Sequence, residues 1–199
     1  MLSPLLLVNF PFSKRLCPLG AWQTEMSTRE KGPATRIFIS AGEASGDLHG
    51  ANILRAIRNA APRTQFAALG GPELAAAGAD VRCNMLERFA VMGLIDALKI
   101  VPAIRRIRDE TLEFIDKWRP QAAILIDYPG FNINFAKFLK RRGITVFYYI
   151  CPQVWAWAPW RVHKIARRID KALVVFEFER EFFARHGIDT AYVGHPLGD

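Results

Sequence analysis

Residues 122–132 read Ala-Ala-Ile-Leu-Ile-Asp-Tyr-Pro-Gly-Phe-Asn. An unbroken apolar run closed by a Pro-Gly turn is the pattern of a strand buried on both faces of a parallel sheet. Its surroundings repeat an alternation of strand and helix. Downstream, a helix is expected at about 131–142 and a strand at 145–150. An aromatic loop, a helix near 160–168, a strand at 171–175, a helix at 177–186 and a last strand at 190–193 follow. Upstream, Arg36–Ala41 is a β-rich run, followed by a Gly-containing loop and a helix to about Ala60. Gln65–Leu69 is a second strand, closed by Gly70-Gly71-Pro72, and a short helix at 73–77 leads through Gly78 to a third strand near 80–83. Residues 86–99 read as helical. Pro102 fits the first turn of a further helix, where its missing N–H costs nothing. Ile104, Ile107, Thr111, Phe114, Ile115 and Trp118 form the inner stripe of that helix, and Arg105, Arg106 and Arg108 fall elsewhere. The fold class is therefore α/β, a doubly wound parallel sheet. Ligands of such sheets bind beyond the carboxyl ends of the strands, which selects the loops 42–47, 70–72, 127–132 and 151–160.

A chain of 199 residues suffices for one well-buried domain, expected at residues 36–199, with residues 1–35 an extension ahead of it. The opening apolar stretch lacks the basic start of a signal peptide and is broken by Asn9, Pro11, Lys14 and Arg15. Met26 stands just before a polar lead-in, so residues 1–25 read as an extension from an upstream start codon. The net charge of +8 calls for a negatively charged partner. Nucleic acid, anionic lipid and a phosphorylated substrate share that sign. Cys17, Cys83 and Cys151 are too scattered for a zinc site or a disulfide framework, and fit a reducing cytoplasm. No run approaches the roughly 18 apolar residues of a membrane span.

The first loop, Gly42-Glu43-Ala44-Ser45-Gly46-Asp47, lacks the Lys-Ser/Thr of a P-loop and the spacing of a dinucleotide fingerprint. Its two carboxylates would repel a diphosphate. Glu43, Ser45 and Asp47 suit hydroxyl groups as hydrogen-bond partners; alternatively Ser45 or Asp47 caps the following helix. Asp127, set directly after a buried strand, is costly unless it faces a cleft or is well bonded. It reads equally as a proton acceptor and as a cap or turn-ordering residue. The loop Cys151–Trp160 holds three tryptophans within six residues, either a packed wall or faces for a sugar or an apolar chain. If extended, it puts Trp155 and Trp157 on one side. With Arg161, Lys164, Arg167 and Arg168 close behind, a nucleic-acid stacking platform is a third reading. Residues 91–108 mix Leu94, Ile95, Leu98, Ile100, Val101 and Ile104 with Lys99, Arg105, Arg106 and Arg108. That pattern serves a core-facing helix or an interfacial contact with anionic lipid.

Taken in order, these loops resemble one family. The G-E-x-S-G-D of Gly42 to Asp47, the Gly71-Pro72 turn, Val91-Met92-Gly93, the I-D-x-P-x-F-N of Ile126 to Asn132, the P-x-V-W-A-W of Pro152 to Trp157 and Gly194-His195-Pro196 are all motifs of the lipid-A-disaccharide synthases. The resemblance runs from about Arg36 to the last residue. Cys151 departs from it, standing where many relatives have serine. The resemblance implies the amino-terminal, Rossmann-like domain of a GT-B glycosyltransferase, ending near the crossover into the half that carries most of the donor site.

What it implies chemically is lipid A biosynthesis. A sugar is transferred from UDP-2,3-diacylglucosamine to 2,3-diacylglucosamine 1-phosphate, with inversion, giving a β-1,6-linked disaccharide and UDP. By resemblance Asp127 is the catalytic base, Glu43, Ser45, Asp47, Asn132, Trp155 and Trp157 bind substrate, and Asn132 orders the Asp127 loop. No metal or cofactor is implied. Leu94, Leu98, Val101 and Arg105 would contact the inner membrane from the cytoplasmic side, peripherally, and the resemblance tips residues 91–108 toward that role. Nucleic acid is not an implied partner. A second copy of the chain or a separate carboxyl-terminal half would be its protein partner.

Overall fold

A computed structural model describes residues 34–85 and 97–194, with residues 97–100 and Trp157 described in backbone only. The expected extension at 1–35 falls almost wholly outside the described residues, as do most of the helix expected at 86–99 and Leu94.

In chain order the elements are β1 (Arg36–Ala41), α1 (Ala44–Ala60), β2 (Gln65–Gly70), α2 (Pro72–Ala76), β3 (Asp80–Asn84), α3 (Ala97–Trp118), β4 (Ala122–Ile126), α4 (Pro129–Arg141), β5 (Thr145–Tyr149), α5 (Val154–Trp157), a 3₁₀ turn (Pro159–Arg161), α6 (Val162–Ala166), β6 (Lys171–Val174), α7 (Glu177–Arg185) and β7 (Asp189–Tyr192). The seven strands form one sheet in the order β3-β2-β1-β4-β5-β6-β7, and every pairing is parallel. This is the doubly wound fold read from the sequence, and its strand order reverses between β1 and β4.

Alternation along each strand builds two layers. Phe38, Ala67, Leu69, Ala123, Leu125, Val146 and Tyr148 face the layer containing Ile107, Leu112 and Ile115 of α3 and Phe131, Phe135 and Leu139 of α4. Ile37, Ile39, Ala41, Phe66, Ala68, Ile124 and Ile126 face the other, where Leu54 and Ile57 of α1 and Leu74 of α2 close over them. Both faces being covered, β4 is buried at all five positions. This is why its sequence is an apolar run without alternation.

Two local expectations change. Pro102 lies inside α3, which already runs from Ala97. The missing N–H falls one turn into the helix, and the helix continues through it; the exposed side of Pro102 leaves room for the adjustment. The aromatic loop is not extended. It forms the turn α5 followed by the 3₁₀ turn. Residues two apart on a helix do not share a face, so the premise that paired Trp155 with Trp157 does not hold.

At the centre of the first layer Phe135, 1% exposed, packs between Phe38 and Phe131, with ring centroids 6.0 and 5.1 Å away. Phe135→Ala is expected to cost about 3–5 kcal/mol through lost burial and the cavity left behind. Urea denaturation should show a lower midpoint at an unchanged slope.

Candidate active site at the β1–β4 crossover

Doubly wound sheets take ligands in the crevice outside the strands' carboxyl ends where the strand order reverses, and here that place is at β1 and β4. From β1 comes Gly42-Glu43, which leads into α1; from β4 comes Asp127-Tyr128, which leads into α4. Glu43 and Ser45 are exposed. Glu43 occupies the N-cap position with extended backbone, and its side chain makes no cap hydrogen bond.

Asp127 and Tyr128 both have left-handed backbone, with φ of 44° and 46°. For residues other than glycine each such conformation costs on the order of 1–3 kcal/mol and persists only where its surroundings impose it. Here they do. The Asp127 amide donates to the Tyr149 carbonyl at 3.1 Å. The Asp127 carbonyl accepts from the Tyr148 hydroxyl at 2.7 Å and from Asn132 Nδ2 at 2.9 Å. Burial, aided by Cys151 and the Asp127 carboxylate, pushes the Tyr148 phenol well above its ordinary range, so it remains a donor. Asp127 itself is half-buried, its backbone fixed by these bonds.

Asn132 is fully buried. Its Oδ1 accepts from Ser40 Oγ at 2.7 Å, and its Nδ2 reaches the carbonyls of Ile126 at 3.1 Å and Ser40 at 3.4 Å as well as that of Asp127. It therefore orders the Asp127 loop and offers no group to a ligand. Tyr128 completes the crevice. A Cβ on Gly42 would lie 2.5 Å from the Tyr128 ring, so only glycine lets the two loops approach this closely. The Tyr128 phenol is pushed up by burial and, second, by the Glu43 carboxylate, which places those two groups in one field.

The structure gives Asp47 a different task. It is 1% exposed. Its carboxylate accepts from the amides of Gly71 at 2.7 Å, Glu73 at 2.8 Å and Leu74 at 3.3 Å. It caps α2, which packs beside α1 on the same face of the sheet, rather than its own helix, because α2 begins beside it with unpaired amides and a positive dipole end. Trp155 is half-buried, its Nε1 donating to Glu179 Oε1 at 3.1 Å and its ring edge-on to Phe178 at 4.8 Å. Trp157's side chain lies outside the described atoms. Glu179, 1% exposed, also takes the Phe176 amide at 3.3 Å. It thus latches the loop after β5 to the start of α7. Sequence reasoning passed over it, although a glutamate three residues into a helix is the usual signal for such a bond. Cys151 is buried against the Tyr148 carbonyl, its Sγ at 3.6 Å, and burial pushes the thiol well up.

Of the residues expected to face lipid, Val101 and Arg105 are exposed on α3, and Leu98 lies in its backbone-only segment. Among the described residues no helix is long and apolar enough to cross a membrane.

In comparison with known proteins, a family model described as lipid-A-disaccharide synthetase matches residues 37–199. Curated proteins named lipid-A-disaccharide synthase are similar over most of the chain. That of Geobacter metallireducens is 44% identical over 167 residues, covering 84% of this chain and 43% of its own length. That of Nitrosococcus oceani is 41% identical, covering 82% and 42%; that of Coxiella burnetii is 36% identical, covering 82% and 43%. The chain thus spans less than half the length of these relatives. Among solved structures, a UDP-N-acetylglucosamine 2-epimerase from Rickettsia bellii superposes with a TM-score of 0.54 at 15% identity, covering 82% of this chain and 46% of that one. This likeness bears on the fold alone.

Asp47→Ala orphans three backbone amides, two of them buried, and is expected to destabilise the fold by at least about 2 kcal/mol. A change under about 0.5 kcal/mol in a denaturation titration would mean that the carboxylate is not a structural cap.

Proposed function

This chain belongs to the lipid-A-disaccharide synthetase family, and we propose that it forms the acceptor-side half of an inverting GT-B glycosyltransferase whose base is Asp127. The observation that carries this reading is the Asp127 turn. A carboxylate at the sheet's crossover, on backbone held in a strained conformation by Tyr148 and Asn132, is a preorganised proton acceptor.

In this reading the donor is UDP-2,3-diacylglucosamine and the acceptor 2,3-diacylglucosamine 1-phosphate. The acceptor hydroxyl oxygen bonds to the anomeric carbon from the face opposite UDP. The bond from that carbon to the diphosphate oxygen breaks, UDP departs with the bonding pair, and the hydroxyl proton passes to Asp127. Glu43 and Ser45, exposed at the opposite lip, would receive the acceptor's other polar groups. Asn132 acts by holding the base, not by touching sugar. Trp155 forms part of the wall, its indole N–H already engaged by Glu179; that engagement gives no support to a stacking platform for nucleic acid. Both substrates carry phosphate and acyl chains, which accords with the net charge of +8. It accords also with a peripheral position at the cytoplasmic face of the inner membrane, contacted through Leu94, Leu98, Val101 and Arg105.

The test is transfer of labelled diacylglucosamine from its UDP donor to the phosphorylated acceptor, alongside acceptor binding by the purified chain. Asp127→Asn should lower turnover by roughly 10²–10⁴-fold while leaving acceptor binding nearly intact. A folded chain that neither transfers sugar nor binds acceptor overturns the proposal. For the membrane contact, Leu98→Asp should reduce co-sedimentation with liposomes without changing the thermal midpoint; unchanged co-sedimentation would reject it.

A further inference from the structure

Between α3 and α4 runs an open groove of about 360 Å³. Its accessible lining is apolar, Val101 and Ile104 from α3 and Phe138 from α4, set over the buried rings of Phe131 and Phe135. Val101 is 49% exposed. The rim is basic, with Arg105 from α3, Lys137 from α4 and Arg168 from the segment after α6. Arg168 is fixed in place by donating to the Ile133 carbonyl and to Asn134 Oδ1, both at 2.9 Å. Lys164, one turn before it, joins the same field. Its ammonium is pushed below the usual lysine range by burial and then by Arg168, Arg161 and Lys137.

Among the described residues these cations differ from their neighbours in lacking counterions. Lys140 pairs with Asp170, Arg142 with Asp116 and Arg106 with Glu110. Among the described residues no carboxylate is in ion-pair distance of Arg105, Lys137, Lys164 or Arg168. Arg108 does not add to the group, since it pairs with Asp109 and lays its guanidinium 5.0 Å over the Phe138 ring, forming part of the wall. Like charges gathered without a partner repel one another, and an anion seated among them removes that repulsion. The anion must accompany something apolar, because the cations border a trough of Val, Ile and Phe. Nucleic acid would find the charge but little to stack on, since Phe131 and Phe135 are 5% and 1% exposed.

We propose that the groove holds one acyl chain of an anionic phospholipid, with the lipid phosphate between Lys137, Lys164 and Arg168. The proposal rests on the membrane-surface reading above for its setting, but its headgroup ligands are residues that reading does not use.

Vesicles of phosphatidylcholine, with and without phosphatidylglycerol, separate the two. Lys137→Ala combined with Lys164→Ala removes two exposed lysines, and should lower binding to phosphatidylglycerol vesicles by roughly thirtyfold while leaving binding to phosphatidylcholine unchanged. Leu98→Asp should lower both, so the membrane reading can fail through that variant without touching this one. Titration of the full chain with water-soluble dihexanoyl phosphatidylglycerol and with inorganic phosphate tests the groove itself. The lipid should bind at least about tenfold more tightly, through burial of its chains. Equal binding of the two, unchanged vesicle binding in the double variant, or tighter binding of a short RNA that the double variant loses would each overturn the proposal.

Discussion

The amide group of Asn132 is buried where β1, β4 and α4 meet, and the arrangement of the crevice depends on it. It takes the Ser40 hydroxyl from β1 and gives its own N–H groups to carbonyls at the end of β4. A buried amide is costly unless satisfied, and here satisfaction is possible only if two strand ends and a helix start keep one relative position. The same bonds hold the chain in the left-handed conformation at Asp127 that the backbone would otherwise avoid. Local strain is thus offset by long-range hydrogen bonding, and the backbone that carries the Asp127 carboxylate is held in one conformation.

A second constraint works on the other side of the crossover. Asp47 sits in the motif that looks most like a ligand loop, yet its charge is directed away from the crevice and into the first turn of α2. The motif therefore divides its labour. Glu43 and Ser45 face outward, whereas Asp47 fixes where β2 hands over to α2, with Gly70 leaving room for its Oδ1 and for Leu74. A carboxylate bonded by three amides is a strong local organiser, and it makes the crevice wall rigid without lining it.

This division was not legible in the sequence, and the reason is physical. Strand positions follow from apolar runs and from Gly and Pro, which act over a few residues; β1, β2, β4, β5 and β6 were placed to within a residue or so on those grounds. Asp47 and Asn132 are instead defined by partners 24 and 92 residues away. Nothing local separates a carboxylate that caps a distant helix from one that waits for a ligand. The α5 turn failed for a related cause. Tryptophans are compatible with either backbone, so composition alone could not choose between extended loop and helix, and the Trp155–Glu179 bond joins residues 24 apart. That Asp127 follows a buried strand was readable. That its peptide is pinned by Tyr148 was not, because β5 had to be placed beside β4 first.

The helix α4 joins the Asp127 loop to the groove beside α3. Its first turn carries Asn132 and so belongs to the crevice; one and two turns later the same helix presents Phe135, Lys137 and Phe138 to the groove. Its inner face is anchored by Phe131, Phe135 and Leu139 in the core. A helix held in a densely packed interior moves as a body if it moves at all. Any displacement of α4 by a molecule in the groove must therefore reach Asn132, and through it the Asp127 carbonyl. On the proposed reading, the helix that would carry the lipid contact also holds the backbone of the proposed base, so that docking and proton acceptance would be coupled.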